Sequence, residues 1–183
     1  MENKTRCRWC NLNNPKYIEY HDREWGQLRL DDDYLYEMLI LECFQAGLSW
    51  ECVLNKRDSF RMAYDGFDLD AVCAYDDEKI GVLLENKDII RNKLKIRASI
   101  TNSRVFKEIV KEYGSFAAYL KYFAGEETLY ETGKVTNAVS DAISKDLKRR
   151  GMKFVGSTTI YAYLQAIGMI DSHEKNCYLY KGE

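Results

Sequence analysis

The chain of 183 residues has two histidines, His21 and His173, and each keeps company with cysteine. His173 precedes Cys177 at i, i+4 spacing, which puts an imidazole and a thiolate on one face of a helix; Cys7 precedes His21 by fourteen residues. Two thiolates and two neutral imidazoles fill all four corners of a tetrahedral zinc site, leaving no open position, so such a site is structural. It would tie the N-terminal segment to the C-terminal tail. Cys10 competes with Cys7 for one corner, and the alternative is two surface histidines beside inert thiols. The opening MENKTRCRWC lacks the apolar core of a secretory leader, so a cytoplasmic location is expected and the six cysteines read as reduced thiols or metal ligands rather than a disulfide framework.

A second kind of chemistry centres on one carboxylate. Leu35, Met38, Leu39 and Glu42 follow the i, i+3, i+4, i+7 pattern, so Glu42 shares the apolar stripe of its helix. A carboxylate there is costly unless paired. Its partner is either a core arginine or a ligand's exocyclic amine. Gly47 turns the chain immediately afterwards, and Trp50 follows. Trp50 with Tyr17, Tyr20 or Trp25 could supply stacking faces, which favour a positively charged ring. Fourteen tyrosines and three tryptophans suit a half-wet cavity, although most could be core.

A third feature is the turn KFVGSTT, residues 153–159, between two helices. Gly156 lets a partner approach, and the amides opening the next helix can hold a phosphate oxygen. Helix, glycine turn, helix is how a helix-hairpin-helix unit grips a DNA backbone without reading sequence. Lys148, Arg149, Arg150 and Lys153 flank it; the alternative is a plain connection. The net charge of −2 gives no support to a nucleic-acid partner. Local charge says something different: residues 87–107 hold seven bases against Asp88, and residues 145–153 hold five against Asp146. The separation permits a basic face, or two solvated helix faces.

The elements that must position these groups are helical. Residues 1–30 read as irregular, with a turn at Asn14-Pro15. Asp31–Asp33 cap a helix from about Tyr34, Gly47 stops it, and Ser49 caps another over 50–62. Helices follow over 78–85, 89–112 and 116–123, the last capped by Ser115. Residues 124–136 show no clear period. Ser140 caps a helix to Arg150, with Gly151 at its C′ position, and a last helix spans 158–167 before Gly168. No repeat and no period-two alternation appears. The expectation is an all-α chain forming one domain over 1–183, or two small lobes sharing a core. No apolar run approaches a membrane span.

Taken together, these residues resemble the 3-methyladenine DNA glycosylase I family. The strings that carry the resemblance run in order: CRW at 7–9, YIEYHDREWG at 17–26, LECFQAGLSW at 41–50, NKRDSF at 55–60, IIRNKLKI at 89–96, SKDLKRRGMKFVGSTT at 144–159 and HEKNC at 173–177. The resemblance implies a helix-hairpin-helix glycosylase fold whose termini are joined by one structural Zn2+ on Cys7, His21, His173 and Cys177. It puts the hairpin at 151–159, with Gly156, Ser157, Thr158 and Lys153 on the DNA backbone. It puts the base pocket at Glu42, Tyr20 and Trp50, with Trp9, Tyr17 and Trp25 around them. The implied activity is base excision repair: flipping out 3-methyladenine in double-stranded DNA and hydrolysing its N-glycosidic bond, without lyase activity. That base is cationic and its bond already weak. Glu42 would read its Watson–Crick edge and favour the cation, Tyr20 would add a hydrogen bond, and Trp50 would stack. Ala46-Gly47-Leu48 would press into the gap left in the duplex. No conspicuous aspartate follows the hairpin before Asp171, in keeping with family members that lack the wider superfamily's catalytic aspartate. A monomer is expected. The alternative is a non-catalytic sensor of alkylated bases on the same scaffold; a zinc hydrolase is disfavoured by the full ligand set.

The sequence departs from the family pattern at four places. Cys43-Phe44 follows the pocket glutamate where a Gly-Gln or similar pair is usual, and Cys43 is expected to narrow the pocket. Gln27-Leu28 replaces a usual proline. Ser157 stands where proline is common, which keeps an amide for phosphate. Asp171-Ser172 replaces the usual Asn-Asp before the histidine ligand, which changes the group that orients it.

Overall fold

A computed structural model describes residues 4–182 and is predominantly helical. The chain winds around one helix, α2 (Asp32–Gln45), buried at Tyr34, Leu35, Tyr36 and every residue from Met38 to Phe44. The apolar stripe expected of it is therefore a sleeve. A helix apolar on nearly all sides sits in the middle of a protein, and this one carries Glu42 inward with it. Asp31 caps α2 by accepting the Tyr34 N–H at 3.0 Å. Asp32 instead reaches across to the Phe116 N–H at 3.0 Å, at the start of α8 (Phe116–Ala124). Packed against α2 are α7 (Lys93–Tyr113), α8 and α10 (Ser157–Ala166).

Several elements differ from the sequence expectation. Residues 1–30 hold a helix, α1 (Pro15–Arg23), because Asn14 accepts the Lys16 and Tyr17 N–H groups and Pro15 presets the first turn. Its buried face is Tyr17, Tyr20 and His21, whose polar tips hide the apolar period. The 50–62 helix breaks at Lys56 into α3 (Trp50–Asn55) and α4 (Arg57–Ala63). A short α5 (Leu69–Cys73) and α6 (Asp77–Glu85) follow. Asn92, not residue 89, begins α7 by accepting the Leu94 and Lys95 N–H groups. In α9 (Ala138–Arg149) the cap is Asn137, and Ser140 is its reciprocal partner in a capping box.

The period-free stretch 124–136 contains β1 (Leu129–Tyr130), paired in parallel with β2 (Ile170–Asp171), Leu129 opposite Ile170. This two-residue ladder is the departure from an all-α chain. The 173–177 segment is a series of turns, so His173 and Cys177 do not share a helical face. Two glycines let this tail close on the N-terminal segment. The N–H groups of Gly26 and Arg29 donate to Gln165 O and Ile167 O, both at 3.0 Å. Gly168 has φ +78°, and a Cβ on it would lie 2.1 Å from the Gln27 carbonyl carbon. Backbone cannot yield there, so Gly168→Ala is expected to cost ~3 kcal/mol and lower Tm by roughly 6–12 °C in a thermal melt. An unchanged Tm would mean that 26–29 does not rest on Gly168.

Candidate functional site

Glu42 is 2 % exposed, and its Oε2 has no hydrogen-bond partner among the described residues. Burial alone pushes its carboxyl up to about 8. The core arginine offered as its alternative partner is engaged elsewhere. Arg57 bonds Glu24 at 2.6 Å and Glu37 at 2.5 Å, and Arg61 adds to Glu37 at 2.8 Å. Glu42 instead faces a cavity of ≈ 290 Å³ lined by Trp9, Tyr17, Tyr20, Trp25 and Trp50. These are the residues expected to form it. The Tyr20 and Trp50 rings lie 5.3 Å apart and inclined at 44°, while Trp9 meets Trp25 edge-on at 4.8 Å. Burial raises the Tyr20 phenol well above its usual range, so it stays a neutral donor. The Trp50 Nε1–H is buried without an acceptor among the described residues. One carboxyl oxygen and one indole N–H are thus left unmatched in an aromatic box, and such unmatched groups are costly unless a ligand answers them.

Sequence reasoning missed part of the wall. Gln45 and Gln165 line it from the ends of α2 and α10, and Thr132-Gly133 reach it from the end of β1. Gln45 stands one turn after Glu42, a signal available in advance; Thr132 depends on a strand pairing that no local pattern announces. Cys43 does not line the cavity. It turns to the other side, its Sγ 3.4 Å from Asn102 Nδ2, so the expected narrowing does not occur.

Beside this cavity the ligand atoms of Cys7, His21 and Cys177 all lie within 4.8 Å of one another. His21 Nδ1 is held by Asp22 at 2.8 Å, itself gripped by Arg6 at 2.6 Å, which aims Nε2 at the Cys177 sulfur 3.4 Å away. His173 Nδ1 is held by Asp171 at 2.6 Å, leaving its Nε2 buried and without a partner among the described residues. The two imidazole rings stand 5.3 Å apart and edge-on. Carboxylates that fix the tautomer of both imidazoles, and one orphaned ring nitrogen, are what a metal ion would use. Burial pushes the Cys7 thiol up to about 12, so a cation is needed to make it a thiolate. The donor set fits a cation. Cys10 lies outside it and donates to Tyr17 O at 3.7 Å. Trp9 packs on His21 at 5.2 Å and Trp25 on His173 at 4.7 Å, so the aromatic wall of the cavity leans on this cluster.

The turn between α9 and α10 presents Gly156 as the N-cap of α10, with no side chain capping its first N–H groups. The Ser157 hydroxyl is engaged by Asp141 and by Ser140 Oγ, while Thr158 and Lys153 are exposed. The basic surface is thinner than the sequence implied. Arg150 is paired with Glu112 and Asp146, Arg149 with Asp146, Arg97 with Asp77 and Lys107 with Asp70. Lys87, Arg91, Lys93, Lys145, Lys148 and Lys153 form no ion pair among the described residues.

The sequence pattern of the family described as methyladenine glycosylase matches residues 9–180. The chain is 40% identical to DNA-3-methyladenine glycosylase 1 of Escherichia coli (strain K12), over 97% of each chain. It superposes on a crystal structure of 3-methyladenine DNA glycosylase I with a TM-score of 0.92 at 37% identity, covering 97% of this chain and 100% of that one. A Staphylococcus aureus 3-methyladenine DNA glycosylase I, solved to explain 3-methyladenine recognition, gives a TM-score of 0.88 at 30% identity, covering 95% and 97%. With the family pattern spanning the aromatic cavity, His21, His173 and Cys177, and the α9–α10 turn, the chain belongs to the methyladenine glycosylase family.

Proposed function

We propose that this chain is a monofunctional DNA-3-methyladenine glycosylase, a single domain that flips the damaged nucleotide from double-stranded DNA and hydrolyses its N-glycosidic bond. The observation that carries this reading is the partnerless carboxyl of Glu42 inside an aromatic box. A methylated adenine in DNA carries positive charge, and its bond to the sugar is already weak. The pocket therefore needs to select and hold the cationic base. As the C–N bond breaks, its electron pair neutralises the departing base, the positive charge passes to the sugar, and a water adds at the sugar carbon to complete the hydrolysis. Glu42, mostly protonated in the free protein below pH 8, releases its proton as the cationic base enters and pairs with the base edge. Tyr20 donates a second hydrogen bond and Trp50 stacks on the ring. Tyr17, Trp9 and Trp25 close the box.

Around that site, the α9–α10 turn acts as the hairpin that holds the backbone, through Gly156, Ser157, Thr158 and Lys153. One structural zinc on Cys7, His21, His173 and Cys177 would hold the chain's two ends together; it takes no part in the reaction. Incubation with methylated duplex and chromatography of the released bases tests the reading. Release of 3-methyladenine is expected. Tight binding without release would favour a sensor on the same scaffold.

The unpaired cations predict the salt response. Affinity for undamaged duplex should fall linearly on a log–log plot against salt, and Lys153→Ala should reduce that slope by about 1. An unchanged slope in a fluorescence-anisotropy titration would remove Lys153 from the backbone contact.

A further inference from the structure

Helix α7 is tied both to the end of α2 and to the α9–α10 turn through two buried polar residues. Asn102 is 0 % exposed. Its Oδ1 accepts the Lys153 N–H at 2.8 Å, and its Nδ2 donates to Lys153 O at 2.9 Å. The same Nδ2 lies 3.4 Å from Cys43 Sγ, on the residue adjoining Glu42. Only an amide offers a donor and an acceptor in this arrangement. Lys95, two helical turns earlier on the same face, donates its Nζ to Phe44 O at 2.8 Å and Ala46 O at 2.6 Å. That caps the C-terminal end of α2 with a cation. The Phe154 ring, in the turn, lies 5.8 Å from the same Nζ. No carboxylate pairs with Lys95 among the described residues. Phe154 itself has φ +58°, a conformation that a bulky residue keeps only where its surroundings impose it. Ser144 Oγ completes the clamp on the turn, donating to Val155 O at 2.7 Å.

We infer that Lys95 and Asn102 are positioning residues, a strut that fixes the α9–α10 turn against the end of α2, so that a phosphate held at the turn sets where the flipped base meets Glu42. The inference rests on the reading of the chain as a glycosylase that grips DNA at this turn. Neither residue touches the base. Their contribution is the distance and angle between two contacts made by one nucleotide strand. Geometry of this kind is where an error of about 1 Å costs up to ~100-fold in rate. A merely structural residue would lower stability and every affinity together.

The test compares wild type, Asn102→Leu and Lys95→Met. The first keeps side-chain size and removes all three bonds; the second keeps the apolar stem and removes the donor. Three quantities are measured: the maximal single-turnover rate of 3-methyladenine release from methylated duplex, the Kd for free 3-methyladenine, and the Kd for undamaged duplex. The expected result is a rate at least ~10-fold lower in both variants, with both Kd values within ~3-fold of wild type. Wild-type rates in the variants would overturn the strut, as would a loss of free-base affinity as large as the loss of rate. Should Asn102→Leu not fold, Lys95→Met decides alone. Wild-type protein that releases no base would instead overturn the glycosylase reading, and the strut with it.

Discussion

Glu42→Gln is expected to lower kcat/KM for 3-methyladenine release by ~100-fold or more while leaving the fold at least as stable as wild type. The amide keeps the shape and one acceptor but cannot carry the charge that answers a cationic base in a dry site. The pH dependence separates this from simple damage. Because burial holds the Glu42 carboxyl at about 8, the free protein has to surrender a proton to bind the cation. Wild-type kcat/KM should therefore rise with pH to a midpoint near 8, and the variant should be flat. Stability runs the other way. Between about 4.5, the ordinary carboxyl value, and about 8, the folded chain keeps a proton that the unfolded chain has released. Wild type thus loses stability as pH rises through that window, by at most ~5 kcal/mol. Glu42→Gln does not. Urea denaturation at pH 5 and at pH 8.5 measures the difference. Parallel stability curves, or wild-type excision by the variant, would take Glu42 out of the proposed role.

Part of the cavity was legible for a physical reason. Each of Glu42, Tyr20, Trp50, Tyr17 and Trp25 is a costly or bulky group in a place where core residues would do, whereas Trp9 was placed there by the family resemblance. What supports them was not. Asn102 and Lys95 look, in sequence, like parts of a basic amphipathic helix, and their partners are backbone atoms about fifty residues away. Backbone acceptors leave no trace in residue types. The charge count over 87–107 overstated the free cations for a different reason. Arg97 and Lys107 are neutralised by Asp77 and Asp70, which lie outside the window in which the bases were counted. In the fold, periodicity found the helices whose buried faces are aliphatic and missed α1, whose buried face is Tyr17, Tyr20 and His21. Cys43 shows a limit of comparison by pattern. It departs from the usual residue beside the pocket glutamate, yet its side chain faces the strut and not the base.

The other large effect belongs to the metal. Purified protein is expected to hold one zinc per chain, and Cys177→Ser or His173→Ala to lose it, while Cys10→Ala keeps it. The cost follows from where the ligands lie. Cys7 and Cys177 come from opposite ends of the chain, so an ion bound there would close nearly the whole polypeptide into one loop. Closing a loop of that size stabilises by ~4–5 kcal/mol on the chain-entropy argument. Its loss should lower Tm by roughly 8–20 °C for a chain of this size. The effect should also reach the cavity, because Trp9 and Trp25 lean on His21 and His173. Chelation should shift tryptophan emission to the red and weaken free 3-methyladenine binding in parallel, and added zinc should restore both. Emission that moves without a change in base affinity would mean that the cluster holds the termini but not the aromatic wall. A protein purified without stoichiometric metal, or a Cys177→Ser variant melting with wild type, would leave Asp22 and Asp171 orienting two imidazoles for no ion at all.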